Sequence, residues 1–167
     1  MTIPLFGIAG WKNSGKTTLM VRLIENFAGR GLQVAAVKHA HHAFDIDHEG
    51  RDSFRYKAAG ASTVAVSSAK RFAIMTELKG RPEPTLDELV RHIEIADIIL
   101  VEGFKAGRHP KLEVRRREAA SGPPLAPQDP AILAIAADFK LEEETLPVFA
   151  LDDIDGIAGF ILERMRR

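Results

Sequence analysis

Near the N-terminus, an apolar run gives way to Gly10-Trp11-Lys12-Asn13-Ser14-Gly15-Lys16-Thr17, which fits G-x-x-x-x-G-K-[ST] at every fixed position. The spacing carries a specific chemistry. The glycines let the backbone curl tightly enough to aim several N–H groups inward, and a following helix adds its unpaired donors and positive dipole end. Lys16 would then reach the outer phosphates of a nucleoside triphosphate, and the Thr17 hydroxyl would coordinate Mg²⁺. Lys12 and Ser14 sit in the variable part of the loop and are candidates for further phosphate contacts. Thr18 packs or hydrogen-bonds nearby. The predicted nucleotide-binding set is therefore Gly10, Lys12, Asn13, Ser14, Gly15, Lys16, Thr17 and Thr18, holding GTP or ATP with Mg²⁺. The dinucleotide fingerprint, with three closely spaced glycines, does not fit.

Such a site needs an acidic residue from another strand. Glu102 follows Ile98-Ile99-Leu100-Val101 directly, as a metal-facing carboxylate at a strand end should, and Gly103 allows close backbone approach. Asp47, in the loop after the second predicted strand, is the other candidate. Both are expected near the metal or the reacting water; the alternative for each is a carboxylate that only stabilises its loop, and Asp52 could cap the helix that follows it. His39, His41, His42 and His48 crowd the same second loop. Their spacing matches no strong zinc signature and no cysteine accompanies them, so a polar loop facing an anionic ligand is the commoner meaning. Lys38, Arg51, Arg55, Lys105, Lys111, Arg115, Arg116 and Arg117 flank predicted loops or strand ends. Together they suggest a second anion-binding surface; singly, each reads as an ordinary solvated charge.

The elements that would position these residues follow from hydrophobic pattern. Strands are expected over residues 3–9, 32–37, 62–67, 71–75 (an edge candidate), 98–101, 111–115, 132–136 and 148–151. Leu19, Met20, Leu23, Ile24, Phe27 and Ala28 recur with helical spacing until Gly29 and Gly31. Shorter helices are expected over 52–59 and, behind a Thr85–Glu88 capping box, along Leu86, Leu89, Val90 and Ile93. A last helix carries Ile154, Ile157, Ala158, Ile161, Leu162 and Met165, while the proline-bearing stretch 119–130 reads as a surface loop. The first strand, helix and strand form a βαβ unit. The expected fold is α/β: a P-loop NTPase-like three-layer domain with a mostly parallel central sheet, one domain over residues 1–167.

Bulk properties narrow the function. The 167 residues carry 23 basic and 23 acidic side chains, so net charge offers no attraction for nucleic acid or an anionic membrane. With no cysteine, disulfides and thiolate chemistry are excluded, and a cytoplasmic location is expected.

The phosphate loop, the segment Val37-Lys38-His39-Ala40-His41-His42 leading to Asp47, Gly50-Arg51-Asp52-Ser53, Ala59-Gly60-Ala61, Val101-Glu102-Gly103-Phe104-Lys105 and Pro110-Lys111-Leu112-Glu113-Val114 together resemble the MobB family of molybdopterin-guanine dinucleotide biosynthesis accessory proteins. The likeness covers nearly the whole chain. It implies a homodimeric, GTP-binding adapter with weak GTP hydrolysis, assisting a molybdenum cofactor nucleotidyltransferase that attaches GMP to a molybdopterin-type cofactor. It assigns Gly15, Lys16 and Thr17 to phosphate and metal, Asp47 and Glu102 to the surroundings of Mg²⁺, and makes His39 and Lys105 site residues. No Asn/Thr-Lys-x-Asp signature reads guanine; Asp138, after Ile135-Ala136-Ala137, could stand near the base and accept from it, the alanines supply no side-chain hydrogen bonds, and guanine preference rests mainly on the family likeness. The competing readings are a small-molecule kinase or efficient NTPase, and a structural domain with a vestigial loop.

Overall fold

The computed structural model describes residues 3–40, 44–119 and 122–165. Its contacts divide the chain into two compact units, Met1–His39 with Val90–Arg167, and Ala40–Leu89.

The first unit is built on a six-stranded sheet of β1 (Leu5–Gly10), β2 (Val34–Lys38), β5 (Ile98–Glu102), β6 (Lys111–Arg115), β7 (Ile132–Ala137) and β8 (Val148–Ala150). The order is β2-β5-β1-β6-β7-β8. Every pairing is parallel, with Ile8 opposite Glu102 and Leu112. Parallel neighbours need crossovers, and the 14-residue α1 (Lys16–Gly29) supplies the first. Leu19, Met20, Leu23 and Phe27 form its buried stripe. Arg30 and Gly31 close its end through N–H bonds back into the last turn, Gly31 having φ 82°. The C-terminal α4 (Ile154–Met165) buries Ile157, Ala158 and Ile161 and packs beside α1. Both helices join one cluster with Phe6, Ile8, Ile98, Leu100, Leu112, Val114, Ala134 and Ala136, the alternate residues of the central strands. Each large apolar side chain removed from water there stabilises the fold by roughly 1.5–3 kcal/mol. The opposite face of β6 lies under loops that take hydrogen bonds from Lys111 and give them to Glu113.

In the second unit, α2 (Asp52–Ala58) is followed by β3 (Thr63–Ser67) and β4 (Phe72–Thr76), which pair antiparallel as a separate two-stranded sheet. Val66, Phe72 and Ile74 on this hairpin are exposed. Asp52 is the first residue of α2 and Arg51 occupies the cap without a side-chain bond, so the expected Asp52 cap does not form. The Thr85–Glu88 capping box does form: Glu88 Oε2 accepts the Thr85 N–H at 2.8 Å, and Thr85 Oγ1 accepts the Glu88 N–H at 3.3 Å. The helix behind it, α3 (Leu86–Val90), stops before Ile93. None of its residues is buried, so tertiary packing does not extend it.

Candidate functional site

The site lies where β1 ends. Gly10 leaves the strand with φ 149°, and an added Cβ would stand 2.7 Å from both Ser14 Oγ and the Val114 carbonyl oxygen. The loop then turns through Asn13 (φ 63°) and Gly15 (φ 89°), and Lys16 begins α1. A side chain at Gly10 or Gly15 would be strained in these left-handed conformations, which is why the motif fixes glycine at both. Ser14 is 2 % exposed, and its Oγ has no hydrogen-bond partner among the described residues. A buried, unsatisfied hydroxyl inside a curled loop is a donor awaiting an acceptor.

The side chains around the loop form a cationic group with one carboxylate. Lys16 Nζ donates to the Trp11 carbonyl at 2.6 Å. The Thr17 hydroxyl lies 3.1 and 3.0 Å from the two oxygens of Glu102, whose carboxylate closes β5. Lys38 Nζ, on the neighbouring strand, stands 3.4 Å from Glu102 Oε1. Burial lowers the Lys16 ammonium from its ordinary 10.5; Glu102 opposes that shift, and the positive charges of Lys105 and Lys38 add to it. Crowded cations of this kind gain from a polyanion, and the hydroxyl and carboxylate of Thr17 and Glu102 are the hard oxygen donors that suit Mg²⁺.

After β5 the chain turns through Gly103 (φ 94°) and Phe104 (φ 47°). Gly103 has no room for a side chain, since a Cβ would meet His39 Cβ at 2.8 Å. His39 donates its N–H to the Glu102 carbonyl at 2.9 Å and sets its ring 4.8 Å from that of Phe104. The turn brings Lys105 Nζ over the Trp11 ring at 4.2 Å. A cleft of about 740 Å³ adjoins the loop, lined by Gly15, Thr18, Asp138, Leu141, Leu151 and Asp152 among others. Within it Asp138 accepts the Arg117 N–H at 2.9 Å and meets Arg116 Nε at 3.4 Å.

Gly10 to Thr18, His39, Glu102 and Lys105 thus belong to one unit. Asp47 belongs to the Ala40–Leu89 unit instead, where its Oδ1 accepts from the Ser53 hydroxyl at 2.8 Å and the His48 N–H at 3.0 Å. His41 and His42 lie outside the described residues, among which no group of three or more His, Cys, Asp or Glu is placed to hold a metal. Of the eight residues suggested for a second anion-binding surface, Lys38 and Lys105 stand by the loop, while three are engaged by the protein itself. Lys111 is fully buried with protein partners, Arg115 is paired with Glu113 and Glu144, and Arg116 with Asp138. Pattern reading missed the buried Lys111 and Glu113. The one available signal was the Lys-Leu-Glu-Val-Arg alternation in a sheet whose other strands are apolar up to their last residue.

The family described as molybdopterin guanine dinucleotide synthesis protein B matches residues 5–138. The chain is 42 % identical over 163 residues to the molybdopterin-guanine dinucleotide biosynthesis adapter protein of Haemophilus influenzae, covering 95 % of this chain and 88 % of that protein. To the Escherichia coli protein of the same description it is 35 % identical, covering 99 % and 95 %. The crystal structure of Bacillus subtilis MobB superposes with a TM-score of 0.76 at 30 % identity, covering 97 % of this chain and 98 % of that one. Matches of this extent show the family: the chain belongs to the MobB family.

Proposed function

We propose that this chain is a GTP-binding adapter of molybdenum cofactor maturation that assists attachment of GMP to molybdopterin; its relatives are described as adapter proteins of molybdopterin-guanine dinucleotide biosynthesis. The observation that carries the nucleotide half of this reading is the loop itself, with left-handed Gly10 and Gly15 and the unsatisfied Ser14 hydroxyl. Backbone N–H groups and Lys16 hold the phosphates; Thr17 and Glu102 would hold Mg²⁺, which would supply charge neutralisation to the nucleotide. Lys38 and Lys105 add positive potential. The base occupies the cleft beside Gly15 and Thr18, where the Asp138 carboxylate accepts from the paired ring and amino N–H groups of guanine. Adenine lacks that donor edge.

Hydrolysis is slow and serves as a reset. The adapter acts as a homodimer in the cytoplasm, one nucleotide-binding domain per chain, alongside a nucleotidyltransferase. Among the described residues no helix is long and apolar enough to cross a membrane. The test is a reconstituted reaction of molybdopterin, GTP–Mg²⁺ and a molybdenum cofactor nucleotidyltransferase. Adding the chain should raise GMP attachment, and Lys16→Ala should not. Rapid phosphoryl transfer to a small acceptor, or multiple GTP turnovers per second by the chain alone, would establish the kinase or NTPase reading instead.

A further inference from the structure

β6 carries two charged side chains that are removed from water. Lys111 is 0 % and Glu113 1 % exposed. They stand two residues apart, so both point to the face of the strand away from α1 and α4. Buried charges persist only with good partners, and each of these is saturated by one of two loops. Lys111 Nζ donates to the Lys105 carbonyl at 3.1 Å, to the Gly107 carbonyl, and to Asp129 Oδ2 at 2.6 Å. Glu113 accepts the N–H groups of Leu125 at 2.8 Å and Ala126 at 2.9 Å, besides pairing with Arg115.

The two anchored loops meet again at one residue of the phosphate loop. From the first, Lys105 lays its ammonium 4.2 Å from the centre of the Trp11 ring. From the second, the Pro123 carbonyl accepts the Trp11 indole N–H at 2.8 Å, and Gly122 lies so close to the ring that a Cβ there would overlap it. The backbone carbonyl of Trp11 in turn accepts from Lys16 Nζ at 2.6 Å and from the Ser14 N–H at 3.2 Å. A hydrophobic pair at positions 111 and 113 would fill the space. It would not fix the direction of two loops that have no sheet or long helix to hold them.

We propose that Lys111 and Glu113 are positioning residues of the phosphate loop, acting through a clamp in which Lys105, over the ring, and the 122–126 segment, at the indole N–H, hold Trp11. The proposal rests on the phosphate-loop reading for its affinity arm, while the clamp has a readout of its own. Trp11 is the chain's one tryptophan, so its fluorescence reports the clamp without any nucleotide.

The experiment compares the full chain with Lys111→Met, Glu113→Gln, Asp129→Asn, Gly122→Ala, Lys105→Ala and the Lys105→Ala/Lys111→Met double variant. Acrylamide quenching of Trp11 should rise in Lys111→Met, Glu113→Gln and Gly122→Ala. GTP–Mg²⁺ affinity should fall by roughly tenfold in Lys111→Met, the scale of coupling between contacting groups. In the Lys105→Ala background the same substitution should cost less than about twofold, because its path is already cut. A merely structural lysine would give multiplicative losses, and that result overturns the proposal, as does unchanged quenching. Should Lys111→Met not fold, Asp129→Asn, which takes the negative charge from one partner of the lysine, must still raise quenching, or the clamp is refuted. Absence of GTP binding in the wild type would reject the nucleotide reading, with quenching still deciding the clamp.

Discussion

Glu102→Gln separates the charge of this carboxylate from its shape. The amide oxygen can still accept from the Thr17 hydroxyl, now bonded at 3.0 Å, so the loop geometry is kept while one negative charge leaves. That charge currently offsets Lys38 at 3.4 Å and opposes the lowering of the Lys16 pKa. Two unit charges about 4 Å apart interact by about 1 kcal/mol in water and about 4 kcal/mol at the effective dielectric of a protein surface. Lys38 is 60 % exposed, which favours the lower part of that range, about 1–2 kcal/mol. Without Mg²⁺ the phosphates meet a more positive site, so GTP should bind roughly 5- to 30-fold more tightly than to wild type. With Mg²⁺ the ion loses an anionic partner, so the gain in affinity that Mg²⁺ brings should shrink by a similar factor. Titration calorimetry with Mg²⁺ and with EDTA gives all four constants, and a melting curve checks that the fold is intact. Equal Mg²⁺ dependence in the variant and the wild type would refute the assignment of Glu102 to the metal side.

Ser14→Ala should leave the nucleotide-free chain as stable or more stable by up to about 1 kcal/mol, because an unsatisfied buried hydroxyl is removed; thermal melting measures this, and titration should show weaker GTP binding. Asp129 predicts an acid limb. Burial alone would raise its carboxyl, but the Lys111 hydrogen bond and the Ala131 N–H reverse this and hold it below 3.8. A depressed carboxyl stabilises the fold above its unfolded pKa, and that contribution is lost as pH falls from about 4 through the folded value. Asp129→Asn should therefore be less stable at neutral pH and lose less stability than wild type across that window, read as melting temperature against pH.

The turn from Gly10 to Gly15 and the place of Glu102 at the end of β5 were legible in the sequence because backbone conformation dictates them: glycine where φ is positive, and a carboxylate at the end of a continuous apolar run. The helix α1 and the Thr85–Glu88 box followed from periodicity and capping chemistry in the same way. What pattern could not give was partnership. The β3 and β4 segments read as strands of a central sheet would, yet they pair only with each other. Strand pairing is decided by contacts distant in sequence, to which a local pattern is blind. Lys111, Glu113 and Arg115 alternate with Leu112 and Val114 as a half-solvated strand does, but the polar face is roofed by loops rather than water. Period two distinguishes the faces of a strand without telling solvent from a layer of hydrogen-bonding backbone. Trp11 and Lys105 lie far apart in sequence, and only the left-handed turn at Gly103 and Phe104 brings them together.

On the function proposed above, Gly10 to Thr17 holds the phosphates of a guanine nucleotide. The most direct test is calorimetric titration of GTP and of ATP, each with Mg²⁺, into the nucleotide-free wild type and into Lys16→Ala. GTP should bind with micromolar or tighter affinity and ATP clearly more weakly, and the GTP signal should be lost in the folded variant. Equal binding of the two nucleotides would contradict the guanine assignment, and GTP binding that survives Lys16→Ala unchanged would contradict the phosphate site itself.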